Sequence, residues 1–140
     1  GLIAFLESLP DRGTVLAWHA SYERQILHGL FEFSSSSAIV SLLDRLQDLE
    51  DPFRSFDVYH PEQRGRTSIK SVLPALGGAP YEDGISGGME AAREYVRAIW
   101  RECDTVERDR VLRALSVYCE KDTNAMVHIF HVLTQLADSA

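Results

Sequence analysis

Tyr118 and Asp122 stand four residues apart, so on a helix both side chains leave the same face one turn from each other. The apolar positions around them run Val111, Leu115, Tyr118 with Cys119, then Met126, Ile129, Leu133 and Leu136. Steps of three and four residues trace one face of a helix, and Asp122 occupies the next place on that stripe. A carboxylate in an apolar contact face is costly unless it is paired, hydrogen-bonded or bound to a metal. A second acid, Glu23, follows "HASY" in the first turn of another helix expectation. Two carboxylates from different helices, with a tyrosine beside one of them, make a partial site for Mg²⁺ or Mn²⁺, which prefer hard oxygen ligands. Two acids alone hold such ions weakly.

Each of these residues also has a plainer account. Glu23 in a first turn is favourable through the helix dipole alone. Asp122 could cap, or pair with Lys70 or an arginine. Tyr118 fits a core tyrosine whose hydroxyl reaches the surface. His19 reads as a buried, hydrogen-bonded histidine in preference to a ligand. His128 and His131, one turn apart, read as an exposed helical pair. Arg64, Arg66 and Lys70 form the one local basic cluster, on a loop and the helix start after it. Cations at a helix start favour phosphate, against the alternative of a solvated loop. Lys70 is the first choice there for substrate contact.

These groups need elements to hold them. "LIAFLESL" places Leu2, Phe5, Leu6 and Leu9 on one helical face, and Pro10 stops it. Thr14 to Trp18, bounded by Gly13, has the β-branched and apolar character of a buried strand. Ser21 is expected to cap a helix from Tyr22 to about Phe31, with Tyr22, Ile26 and Leu30 inward. Ser37 caps a further helix whose stripe is Ile39, Leu42, Leu43, Leu46 and Leu49, ended by Pro52. Phe56 to His60 reads extended, because the residue before Pro61 is pushed out of helix. Thr67 or Ser68 starts a short helix that Pro74 shortens or kinks. After Gly87 and Gly88 a helix carries Ala92, Tyr95, Val96, Ile99, Trp100 and Cys103. Asp104 with Glu107 forms a capping box for the last helix. The expectation is about six helices and one strand. A lone strand needs partners for its backbone groups, which points to neighbouring strands before Gly1 and, in their absence, to self-association through open edges.

The 140 residues, 45% of them hydrophobic, suit one domain with an ordinary core. No apolar run is long enough to cross a bilayer, and the opening lacks a basic start and a cleavage site. The chain opens on Gly, so a piece of a longer protein is expected. Cys103 and Cys119 make neither a disulfide framework nor a C-x-x-C metal spacing, and free thiols fit a cytoplasmic protein. A net charge of −7 argues against a DNA-coating protein but not against a nuclease, since metal-binding acids also lower the charge.

At these residues the chain resembles a family. "HASYE" is similar to the second motif of DnaQ-like 3′–5′ exonucleases, and "YCEKD" to their third, a Tyr followed four residues later by Asp. "DPFRSFDVYHPEQRGRTSIKSVLPAL" together with "YCEKDTNAMV" resembles the bacterial domain-of-unknown-function family numbered 2779, over most of the chain from about Val15. The resemblance implies an α/β, ribonuclease H-like fold, of which these residues are the mostly helical C-terminal portion. It also implies two-metal hydrolysis at DNA or RNA ends with Mg²⁺ or Mn²⁺, and a RecB-like nuclease domain upstream. Glu23 and Asp122 would bind metal, Tyr118 would position the attacking water, and His19, Arg64, Arg66 and Lys70 would meet the substrate. His19 stands where the motif has Asn, and Glu23 where the superfamily usually has Asp. The first motif, Asp-x-Glu on a strand, is missing. Asp48 and Glu50 have that spacing, but "LQDLED" reads as a helix end. The expected fragment is therefore inactive alone, with a non-catalytic nucleic-acid or partner-binding domain as the alternative.

Overall fold

The computed structural model describes residues 2–81, 85, 87–100 and 104–139. Cys103 lies outside the described residues. The structure is mostly helical with one two-stranded parallel sheet, and it divides into two compact units, Gly1–Ser68 and Ile69–Ala140.

The first unit is built on a strand–helix–helix–strand run. Helix α1 (Leu2–Ser8) leads to strand β1 (Val15–Ala17), then α2 (Ala20–Ser34), α3 (Ser37–Arg45) and strand β2 (Leu46–Asp48). β1 and β2 pair in parallel, Val15 opposite Leu46 and Ala17 opposite Asp48. Parallel strands cannot be joined by a tight turn, so the two helices serve as the crossover. The strand thus has its partner within the chain, which corrects the expectation of neighbours only before Gly1. It also corrects the helix expected to run through Leu46 and Leu49: that helix ends at Arg45. Leu46 and Leu49 are buried either way. Their apolar character could not by itself distinguish the last turn of a helix from a short strand.

Two arginines fix this crossover. Arg24 donates to the carbonyls of Leu43 and Leu46, at 3.0 and 2.6 Å, satisfying groups left over where α3 ends. Arg45 donates to the carbonyls of Gly13 and Pro10, at 2.8 and 3.0 Å, and so ties down the turn before β1. Ala17, Ala20 and Leu46 form a small buried cluster with Val15 and Leu27 against it. Helix α2 therefore turns Ala20 and Leu27 inward, while Tyr22 and Ile26, expected there, are exposed. Its N-cap is His19, in the left-handed region at φ 63°, and not Ser21. α3 likewise starts one residue early, on Ser36.

After β2 the short α4 (Asp51–Arg54) buries Phe53, whose ring lies 5.8 Å from that of Trp18. Phe56–His60 is a turn and bend, with Phe56 at φ 62°, rather than an extended run. His60, which precedes Pro61, is extended. The loop beyond is anchored by Gln63, whose side chain is almost fully buried. It accepts from the His60 amide at 2.7 Å and donates to the Arg66 carbonyl at 3.3 Å.

The second unit packs α5 (Ile69–Ala75) and α6 (Gly88–Trp100) on the long α7 (Thr105–Asp138). Val72, Leu73, Ala75, Ala98, Val111, Ala125 and Ile129 are its buried apolar groups. Asp104 accepts from the Glu107 amide at 2.9 Å, the expected start of α7. The α6 stripe is a correction: Tyr95, Val96, Ile99 and Trp100 are exposed, and Ala98 is the buried residue. α5 ends in a Schellman turn. Gly78 donates to the Leu73 carbonyl at 2.9 Å and Gly77 to that of Pro74 at 3.0 Å, with Gly77 at φ 77°. Gly78 has no room for a side chain, since a Cβ there would lie 2.3 Å from Leu73 Cδ1.

One carboxylate joins the elements of the first unit. Asp48 accepts from the amides of His19, Ala20 and Glu50, each at 3.0 Å, and from Arg54 at 3.0 Å. Its side chain is only 9% exposed. Asp48→Ala leaves those donors without their partner and should lower stability by about 2–4 kcal/mol, with Asp48→Asn costing roughly half. Urea unfolding measures both, and an unchanged midpoint in Asp48→Ala would remove Asp48 from this role.

Candidate functional site

In open α/β sheets ligands bind beyond the carboxyl ends of the strands. In the first unit that end carries His19 after β1 and the Asp48-x-Glu50 pair, whose Asp48 is the last residue of β2. The pair therefore closes a strand, contrary to the expectation of a helix end. Its acids are nevertheless committed to structural bonds. Glu50 is 6% exposed. It accepts from Thr67 Oγ1 at 2.6 Å, meets His19 Nδ1 at 3.0 Å and faces Arg54 at 3.4 Å. Arg54 also binds Asp51. His19 is hydrogen-bonded as expected, but its side chain is 61% exposed rather than buried, because the left-handed turn throws it off the sheet end.

Glu23 lies in the first turn of α2 and is exposed. Among the described residues it makes no hydrogen bond or ion pair. Arg64 and Arg66 sit on the loop pinned by Gln63, Arg64 in the left-handed region at φ 50°. Both are exposed.

The second unit holds Tyr118, Asp122 and Lys70. Among the described residues, phenols compensate Asp122. Tyr81 donates its hydroxyl to Asp122 Oδ1 at 2.6 Å, and Tyr118 is hydrogen-bonded to the same carboxylate. Burial first, and then these bonds to a negative group, raise both phenol pKa values, that of Tyr118 to about 12 and that of Tyr81 further. Lys70, in the first turn of α5, places its Nζ 5.0 Å from the centre of the Tyr81 ring, a cation–π contact. His128 is half-buried rather than one of an exposed pair. Its Nε2 lies 3.1 Å from the Leu76 carbonyl. A carbonyl only accepts, so that nitrogen carries the proton.

Tyr81 was not among the residues expected from the sequence. It follows "GGAP", lies 41 positions from Asp122, and shares no periodic pattern with it. The available signal was indirect: an acid on an apolar stripe calls for a donor, and a tyrosine is one.

The structure thus brings Tyr118 and Asp122 together with Tyr81 and Lys70 in the second unit. Glu23, His19, Arg64 and Arg66 belong to the first unit. Among the described residues no group of three or more His, Cys, Asp or Glu side chains is arranged to hold a metal ion. The donor chemistry agrees: Asp48 and Glu50 are occupied by amide, hydroxyl and arginine donors, and Asp122 is engaged by phenols. The described residues do not by themselves fit a two-metal centre.

A family model matches residues 1–68, and its description is Domain of unknown function (DUF2779). The matched stretch has the bounds of the first unit. It includes "HASYE" but not "YCEKD". No curated protein and no solved structure matches the chain. No helix of the described residues is long and apolar enough to cross a membrane.

The tyrosine pair makes a pH-dependent prediction. A phenol whose pKa is raised on folding contributes stability that is whole below the unfolded value, near 10. That contribution is lost as pH rises through the folded value. Unfolding free energy should therefore fall between about pH 10 and pH 12, and the fall should be shallower in Tyr81→Phe and in Tyr118→Phe. Chemical denaturation across that range measures the slope. Equal slopes in wild type and both variants would show that folding does not raise the pKa values of these phenols.

Proposed function

We propose that this chain is a portion of a nuclease-type domain that binds DNA or RNA ends and contributes to metal-dependent phosphodiester hydrolysis. The observation that carries this proposal is the parallel pair β1–β2, with "HASYE" at the carboxyl end of β1, inside the stretch that matches a family model. A DnaQ-like exonuclease relationship follows from the motif resemblance. Under it Glu23 and Asp122 are the metal-facing acids and Tyr118 orients water. His19, Arg64, Arg66 and Lys70 meet the phosphate backbone. Mg²⁺ or Mn²⁺ would supply Lewis acidity and an activated water. Tyr81 would have to release Asp122 before that carboxylate could bind a metal.

A second possibility has its own support: a non-catalytic domain that binds nucleic acid or a partner. Asp122 is already engaged by phenols, and His19 stands where the motif carries an amide. Two metals spaced for in-line hydrolysis also need acids that bridge them. In this proposal those acids come from an Asp-x-Glu strand upstream, alongside a RecB-like nuclease domain, in a cytoplasmic protein. The outer edges of the two-stranded sheet would accept such a strand, or a second copy of the chain.

The deciding experiment compares residues 1–140 with the chain extended upstream, each with Mn²⁺ and end-labelled single-stranded DNA or RNA. The extended protein should cleave and lose at least about a hundredfold in rate on Asp122→Asn, while residues 1–140 alone should not cleave. No cleavage by the extended protein, or cleavage untouched by Asp122→Asn, would leave the binding domain as the function.

A further inference from the structure

The second unit contains a cavity of about 390 Å³ between the end of α5, the segment Gly78–Tyr81 and one face of α7. Its volume falls in the range of small-molecule sites. Leu73, Pro80 and Ala125 give it an apolar wall, and Lys121, Asn124 and His128 supply its directional polar groups. The turn that forms the wall is held by the Gly78 bond to the Leu73 carbonyl and the Gly77 bond to that of Pro74. The Tyr81–Asp122 bond holds the end of that segment to α7.

The polar groups describe a ligand. The described lining residues include one lysine and no carboxylate, in a chain of net charge −7. Lys121 places a cation at the mouth, one residue before Asp122 on α7. Asn124 offers an amide, which pairs in two-pronged fashion with the amine and ring nitrogen of adenine. His128, with its Nε2 proton given to Leu76, keeps Nδ1 as an acceptor while the ring is neutral, which suits an exocyclic amine. The apolar wall suits the face of a flat ring.

We propose that this cavity binds a purine nucleoside monophosphate, with the base between the apolar wall and Asn124 and the phosphate at Lys121. The assignment deepens the nucleic-acid function proposed above and rests on it for the choice of a nucleotide. Lys121 adjoins Asp122 in sequence, so the nucleotide would lie beside the carboxylate assigned to the metal. The occupant is either a free mononucleotide or the terminal nucleotide of a strand.

Calorimetric titration of the chain with AMP, adenosine and inorganic phosphate, without metal, tests the assignment. AMP should bind about tenfold more tightly than adenosine, and phosphate alone more weakly than either. Lys121→Gln should bring AMP down to the level of adenosine, and Asn124→Leu should weaken both about tenfold. Both residues are exposed, so the variants should unfold at the wild-type midpoint. In the wild type, AMP should shift the Asn124 side-chain amide and His128 ring resonances. Absence of AMP binding, or binding unaffected by both substitutions with those resonances unmoved, overturns the proposal. Displacement of AMP by a short single-stranded oligonucleotide would identify a strand end as the source, and failure to displace it the free nucleotide; either supports the site. AMP binding here, with an extended protein that does not cleave, would sink the nuclease proposal and leave this one standing. Cleavage without AMP binding would do the reverse.

Discussion

The first unit depends on the Asp48 carboxylate. A left-handed His19 ends β1 and starts α2 without offering the helix a side-chain cap. The exposed amides at that helix start would cost stability unless something else accepted from them. Asp48, arriving from β2, accepts from two of them and also from the Glu50 amide. One side chain thus fixes the direction of α2, the end of β2 and the turn into α4. Arg54 balances its charge. The bond between strand end and helix start requires the parallel pairing, because only then do both strands finish at the same edge. Glu50 extends the same logic outward, linking His19 to Thr67 across a long loop.

The second unit solves a related problem with different chemistry. Asp122 lies on the contact face of α7, where a bare charge is costly. An arginine there would itself need desolvating. Two half-buried tyrosines meet the carboxylate with their hydroxyls, so one pair of contacts serves both polarity and packing. Lys70 lies over the Tyr81 ring in a cation–π contact.

Legibility followed the range of each interaction. The final helix, its Asp104 cap and the anomaly at Asp122 were open to reading, because local periodicity and a three-residue spacing encode them. The strand at Val15–Ala17 was legible for its apolar run between breakers. Strand β2 was not, since "LQD" continues a helical stripe without interruption and only pairing with β1 makes it a strand. The same ambiguity reaches the chemistry: the helical stripe places Asp48 and Glu50 at a helix end, whereas they lie at the end of the sheet. The inward face of α2 was missed for a similar reason. Tyr22 and Ile26 are the greasier residues, but the crossover geometry turns Ala20 and Leu27 to the sheet. Tyr81 pairs with Asp122 through the fold alone.

The distribution of acids bears on what chemistry is open to the chain. An acid can bind a divalent cation only to the extent that its lone pairs are not already spent. Asp48 and Glu50 are surrounded by amide, hydroxyl and guanidinium donors, and displacing them would release the start of α2. Asp122 is held by phenols, which can rotate away at smaller cost than a backbone amide can move. Glu23 is exposed and makes no bond among the described residues. Of the four acids that motif and spacing single out, two therefore belong to the scaffold and two remain available to a ligand. The available two are those that the resemblance assigns to metal, and the structure gives the scaffold pair a sufficient reason of its own to be acidic.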